Sequence, residues 1–164
     1  MRLILASRSP RRAELLAQLG LVFEVRAADV DETWVPGEDA AGYVLRLARA
    51  KARAVRSRIR EVAGDGTAPG VVIIGADTSV VLDDRVLGKP GNEAEGVAML
   101  LALSGRTHQV MTGVAVCDDA RIESLCVTTR VRFRAIDVDE ARAYWNTGEA
   151  ADKAGGYGIQ GIGG

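Results

Sequence analysis

Leu3-Ile4-Leu5-Ala6-Ser7-Arg8-Ser9-Pro10-Arg11-Arg12 is the stretch that decides the architecture. The apolar run through Ala6 reads as a strand, and it stops at Ser7. A helix begins at once, with Ser9 as N-cap and Pro10 at the first helical position, where its fixed φ and missing N–H do no harm. Leu15, Leu16 and Leu19 then share one helical face, and Gly20 stands where a left-handed cap belongs. The chain therefore opens strand, tight turn, helix. Arg11 and Arg12 occupy the helix's first turn, where the dipole disfavours cations and the N–H groups favour an anion. A polyphosphate would draw both guanidiniums and the N–H groups to itself. Two arginines pointing into water are the alternative.

Outward from this opening, residues 22–28 read as a short strand that ends in the acidic loop Asp29-Val30-Asp31-Glu32-Thr33. Trp34-Val35-Pro36-Gly37 is a turn. A long helix follows over 39–62, with Val44, Leu47, Ala48, Ala52, Val55, Ile59 and Val62 on one stripe. Its other faces carry Arg46, Arg49, Lys51, Arg53, Arg56, Arg58 and Arg60, which read mostly as a solvated face. Gly64 to Gly70 is a loop within the domain. Val71-Val72-Ile73-Ile74 has the unbroken β-branched character of a strand covered on both faces. It leads into Gly75-Ala76-Asp77-Thr78-Ser79, then Val80-Val81-Leu82 and an Asp83-Asp84 turn. Asn92 caps a helix that closes at Ser104-Gly105. Residues 108–118 and 122–134 form a long antiparallel hairpin around Asp118-Asp119-Ala120-Arg121. Asp137 and Glu140 make a capping box for a helix ending at Gly148. The final stretch is dense in glycine. This order implies an α/β fold on a mixed sheet.

The 164 residues fit one domain, able to bury roughly 70% of its unfolded surface. A net charge of -1 and only 4% aromatic residues argue against a nucleic-acid partner, which calls for a basic excess or stacking platforms. Cys117 and Cys126 lack metal-type spacing and read as free thiols of a reducing compartment. With no signal peptide and no apolar run near the ~20 residues of a membrane span, the expected location is the cytoplasm, with no membrane partner. The lone histidine, His108, cannot build a zinc site. No GxSxG elbow is present and neither cysteine has a basic partner nearby, which removes the usual nucleophilic hydrolases. Any metal should be magnesium or manganese, held by carboxylates and substrate phosphates.

Asp77 is the sharpest chemical candidate. It follows a buried strand and a Gly-Ala pair, and ends of central strands in α/β sheets are where ligands bind. It could act as general base towards water or as ligand to a hard cation, or it could merely hold its own turn. Glu32 is a weaker candidate of the same kind. Lys89 in Gly88-Lys89-Pro90 is no P-loop lysine but can offer a point charge to phosphate. Lys153 lies beside glycines that would admit a nucleotide, or else belongs to a loose tail.

Taken together, the blocks resemble one family. They are Ser7-Arg8-Ser9-Pro10-Arg11-Arg12-x-Glu14-Leu15-Leu16, Asp31-Glu32-Thr33, Ala76-Asp77-Thr78, Gly88-Lys89-Pro90, Leu103-Ser104-Gly105, His108-x-Val110-x-Thr112-Gly113-Val114 and Asp152-Lys153-Ala154-Gly155-x-Tyr157-Gly158-Ile159-Gln160-Gly161. In this order they resemble the Maf-like nucleoside triphosphate pyrophosphatases, from end to end of the chain. The resemblance implies cleavage of a nucleoside triphosphate to monophosphate and pyrophosphate with a divalent cation, Mg2+ or Mn2+. It implies a fold like that of the inosine triphosphatase group, a long mixed sheet with flanking helices and a cleft between two lobes, often as a homodimer. By matching position, Asp77 is the proton acceptor, with Glu32 and Asp77 near the metal. The resemblance likewise implies that Ser7, Arg11, Arg12, Lys51, Lys89 and Lys153 bind the substrate. Arg11, Thr78 and Gln160 resemble the combination of the dTTP/UTP-hydrolysing branch, whereas the 7-methyl-GTP branch tends to carry tryptophan and glutamine at the first two. The family also runs on after the Gly-Ile-Gln-Gly block with a strand and a short helix, so the expectation is a single domain over 1–164 that lacks this element. A nucleotide-binding regulator of cell division with little turnover is the alternative function.

Overall fold

A computed structural model describes residues 1–63 and 70–164. Most of the loop expected over 64–70 therefore lies outside the described residues. The elements are β1 (Arg2–Ala6), α1 (Pro10–Gln18), β2 (Glu24–Val25), α2 (Ala40–Ala63), β3 (Val71–Leu82), β4 (Arg85–Leu87), α3 (Glu93–Leu103), β5 (Thr107–Cys117), β6 (Ile122–Arg132) and α4 (Val138–Asn146). A short 3-10 turn over Ala154–Gly156 follows. One mixed sheet runs β2-β1-β3-β5-β6, with β4 added to β3. The β1 strand pairs in parallel with both β2 and β3, and β4 is antiparallel to β3.

The chain divides into two units. The first holds Met1–Asp77 and Thr112–Val127; the second holds Thr78–Met111 and Thr128–Gly164. In the first, the stripe expected on α2 is buried from Val44 to Ile59, and its Ala48, Ala52, Val55 and Ile59 pack with Ile4, Ala6, Ile73, Ala115 and Cys117. Val62 is the exception, at the end of the stripe, and is exposed. In the second, Val80 and Leu82 of β3 pack with Leu100 and Leu103 of α3, Ala141 of α4 and Tyr157. Both expected caps of this unit form. Asn92 accepts from the Glu95 N–H at 3.0 Å, and Asp137 with Glu140 makes a complete capping box.

Three expectations are corrected. The strand foreseen over 22–28 shrinks to Glu24–Val25, the only residues there registered with β1. The helical face that Leu15 and Leu19 mark meets solvent: they are 48% and 74% exposed, and no residue of α1 is buried. Ser9 takes the N-cap backbone conformation but makes no side-chain cap; the preceding Ser7 hydroxyl instead accepts from the Ser9 N–H at 3.2 Å. Asp77 does not end a strand or sit in a turn. It lies inside the twelve-residue β3, since Gly75 and Ala76 continue the strand and do not break it, with Ala6 of β1 paired opposite Gly75. Among the described residues, no helix is long and apolar enough to cross a membrane, and both cysteines are free thiols.

Candidate active site

The functional geometry of the first unit starts from a glycine. A side chain at Gly75 would put Cβ 2.2 Å from the Ala48 carbonyl oxygen and 2.9 Å from the Ala52 nitrogen, so the α2 backbone lies directly on β3. That close seating fixes the phase of α2 and turns Lys51 towards Asp77. Lys51 Nζ donates to Asp77 Oδ1 at 2.7 Å and stands 2.7 Å from Glu32 Oε1. Two carboxylates from a strand and a loop thus share one ammonium. The Lys51 and Asp77 side chains are 13% and 12% exposed, while Glu32 is 54% exposed and opens the arrangement to solvent.

Burial raises the Asp77 pKa above its ordinary value, against the pull of Lys51 and Arg12, and the Glu32 charge adds to the rise. A carboxylate moved in this direction is a better proton acceptor than a free one. Arg12 approaches from the other side. Its Nη1 donates to the Ala76 carbonyl at 2.8 Å and to Ser7 Oγ at 3.2 Å, which ties the first turn of α1 to the backbone beside Asp77. Desolvation lowers the Arg12 pKa, with Asp77 opposing and neighbouring Arg11 reinforcing the shift. Arg11 and Arg12 therefore crowd positive charge at a helix start that has no acidic residue in its first turn. Arg8 turns away and pairs with Asp29 in an exposed contact worth little.

Three residues that hold the Glu32 loop escaped the sequence reading. Tyr43 donates its hydroxyl to the Glu32 carbonyl at 2.9 Å, and Arg46 donates to the Thr33 carbonyl at 3.0 Å. Arg46 also grips Glu38 through two bonds of 2.8 and 2.9 Å and lies 5.4 Å from the Tyr43 ring centre, over its face. Trp34 stacks against Tyr43, centroids 4.9 Å apart. The available signal was the i, i+3 spacing of Tyr43 and Arg46 in the first turns of the helix that follows the acidic loop and its turn. The solvated-face reading of the arginines is corrected more widely. Arg49 donates to Ser124 at 2.7 Å, Arg56 to the Asp118 carbonyl at 3.0 Å, and Arg60 pairs with Asp119 at 2.8 Å. These arginines fasten α2 to the β5–β6 hairpin.

The second unit carries the other residues singled out. Thr78 follows Asp77 on β3 and is half-buried. Lys89 is exposed in the loop after β4. That loop and the glycine-rich segment are joined by the Gly155 N–H donating to the Gly88 carbonyl at 2.9 Å. Lys153 is drawn back onto its own loop, with Nζ donating to Asp152 Oδ1 at 2.7 Å and to the Glu149 carbonyl. Gln160 is exposed.

Among the described residues no three side chains of the kind that ligate metals gather at one point. The two carboxylates that do converge, on the Lys51 ammonium, suit a hard divalent cation. Magnesium characteristically takes one or two protein carboxylates and completes its shell with water and phosphate oxygens.

The family model described as Maf-like protein matches residues 2–164. The dTTP/UTP pyrophosphatase of Pasteurella multocida is 48% identical over 160 residues, which is 98% of this chain and 80% of that protein. The protein of the same name from Myxococcus xanthus is 53% identical over 162 residues, 99% of this chain and 78% of the relative. A solved structure, the Staphylococcus aureus Ham1 protein, overlaps with a TM-score of 0.47 at 13% identity over 80% of this chain and 71% of that one, too slight a likeness to carry weight. The full-length family match and the near-50% identities have one meaning: this chain belongs to the Maf family.

Proposed function

We propose that the chain is a nucleoside triphosphate pyrophosphatase that hydrolyses dTTP and UTP to the monophosphate and pyrophosphate. The observation that carries this reading is the buried Asp77 carboxylate held by Lys51, with Glu32 on the same ammonium and Arg12 fastened beside it. That the relatives are dTTP/UTP pyrophosphatases supports it.

The chemistry follows from these groups. Arg11 and Arg12 bind phosphate oxygens, a task suited to the planar guanidinium, while Lys89 and Lys153 act as point charges. Asp77, its pKa raised by burial, takes a proton from water as the water oxygen bonds to the α-phosphorus. The bond from that phosphorus to the bridging oxygen breaks, and pyrophosphate departs with the electron pair. Lys51 holds Asp77 in place and balances its charge until substrate arrives. A divalent cation held by Glu32 and Asp77 would neutralise charge developing on the phosphate oxygens. Gln160 and the backbone of the adjacent glycines read the pyrimidine. The gathered acids favour turnover over a regulator that only binds. A cytoplasmic location and a homodimer complete the reading.

The test is incubation with UTP and dTTP and either magnesium or manganese in 18O-labelled water. Label in the monophosphate, with unlabelled pyrophosphate as co-product, is expected. Diphosphate with orthophosphate, or label in pyrophosphate, would sink the assignment. Sedimentation equilibrium tests the dimer.

A further inference from the structure

His108 is the chain's lone histidine, on β5, 2% exposed, and no step above uses it. Its Nε2 lies 2.6 Å from the Tyr157 hydroxyl, while Nδ1 is buried without a hydrogen-bond partner. An orphaned buried nitrogen costs stability, so its presence calls for a reason. Phe133 and Tyr157 pack edge-on around the imidazole, with the His108–Phe133 and Phe133–Tyr157 centroids 5.1 and 4.7 Å apart. Burial lowers the His108 pKa and pushes Tyr157 up to about 12, so both partners stay neutral.

Tyr157 sits in the middle of the glycine-rich segment. Lys153 precedes its one-turn 3-10 helix, and Gln160 lies three residues beyond Tyr157. Upstream, Gly155 has φ of 70° and a Cβ there would lie 2.9 Å from the Val80 side chain, so the backbone is pressed onto β3. Its N–H to the Gly88 carbonyl joins the segment to the Lys89 loop. Downstream, the Gly158 N–H donates to the Tyr144 hydroxyl at 3.1 Å. The His108–Tyr157 bond lies between these two fastenings and joins two buried side chains. We propose that His108 is a positioning residue, which through Tyr157 places Lys153 for the pyrophosphate end of the substrate. The inference rests on the pyrophosphatase reading and assigns its second unit an internal anchor.

The test uses the full chain, with binding of inorganic pyrophosphate measured by calorimetry beside kcat and KM for UTP. Y157F removes only the hydroxyl and keeps the ring between Phe133 and the imidazole. The expected result is a Kd for pyrophosphate and a KM for UTP each raised roughly tenfold, with kcat changed far less. In a K153A background the same Y157F change should add almost nothing, because the bond acts through Lys153. H108Q, which keeps a hydrogen-bonding group, should restore most of the affinity that H108F loses. This second pair supplies the comparison should Y157F fail to fold. Unaltered pyrophosphate affinity in Y157F or H108F, or an equal loss with and without Lys153, would overturn the proposal. Turnover by the unaltered chain in that case would leave the pyrophosphatase reading standing. No turnover and no pyrophosphate binding by the unaltered chain would overturn both.

Discussion

Replacing Asp77 by asparagine and Lys51 by methionine perturbs one contact from its two ends, and the structure gives the two changes opposite effects on stability. Lys51 Nζ lies 2.7 Å from both Asp77 Oδ1 and Glu32 Oε1. The Asp77 pKa is nonetheless raised, because burial outweighs the help from Lys51 and Arg12. A raised folded pKa means that the folded chain binds more protons than the unfolded one between the ordinary value and the raised one. Stability therefore falls as pH rises through that window, and at neutral pH the ionised carboxylate is a burden on the fold. The asparagine side chain keeps the shape and an oxygen for Lys51 while removing the charge, so D77N melts at or above the temperature of the unaltered chain. K51M instead leaves two carboxylates facing each other. Breaking a buried pair by removing one partner costs about 3–5 kcal/mol, and the half-exposed Glu32 puts this case near the lower bound. At roughly 2–4 °C per kcal/mol for a chain of this size, K51M should melt about 6–12 °C lower. The assay is scanning calorimetry at neutral pH, paired with kcat on the same preparations. D77N should lose on the order of 10²-fold or more in kcat while keeping its stability. A D77N chain that melts lower, or a K51M chain that melts with the unaltered one, refutes the reasoning. Near-normal turnover by D77N removes Asp77 from the mechanism.

Further outcomes follow from the same geometry. G75A drives a methyl into the Ala48 carbonyl, 2.2 Å away, and should destabilise by about 3 kcal/mol, read from the urea midpoint; an unchanged midpoint would mean that α2 does not ride on Gly75. With no divalent cation added, the Asp77 carboxyl, followed by NMR, should titrate above the ordinary aspartate value of 3.8, and K51M should move it higher still by removing a stabilising cation. A carboxyl that titrates at or below the ordinary value would refute the argument from burial. UTP and dTTP should give a higher kcat/KM than 7-methyl-GTP, whose cationic purine favours an aromatic face that Arg11 does not offer; the reverse ranking would overturn the specificity reading.

What could be read from the sequence alone is local. The strand–turn–helix opening, the α2 stripe from Val44 to Ile59, the Asn92 cap and the Asp137–Glu140 box all rest on signals a few residues apart, and all four form. Asp77, Glu32, Lys51 and the paired arginines could likewise be named as candidates, since the blocks carrying most of them stand in a recognisable order. Their arrangement was not. Lys51 meets Asp77 across 26 residues of sequence, and Arg12 meets the Ala76 carbonyl across 64. Neither contact has a periodicity to betray it. The seating of α2 on Gly75 decides which of the basic residues on its flanks turns inward, and hydrophobic patterning can place a stripe but cannot choose among cations beside it. The same limit explains Leu15 and Leu19, whose spacing marks a helical face without saying whether anything covers it. It also explains Asp77 itself. A Gly-Ala pair in an apolar run reads as a strand end, yet β1 pairs with β3 through Gly75. Pairing with a neighbouring strand is a property of two segments at once, and only the folded chain brings them together.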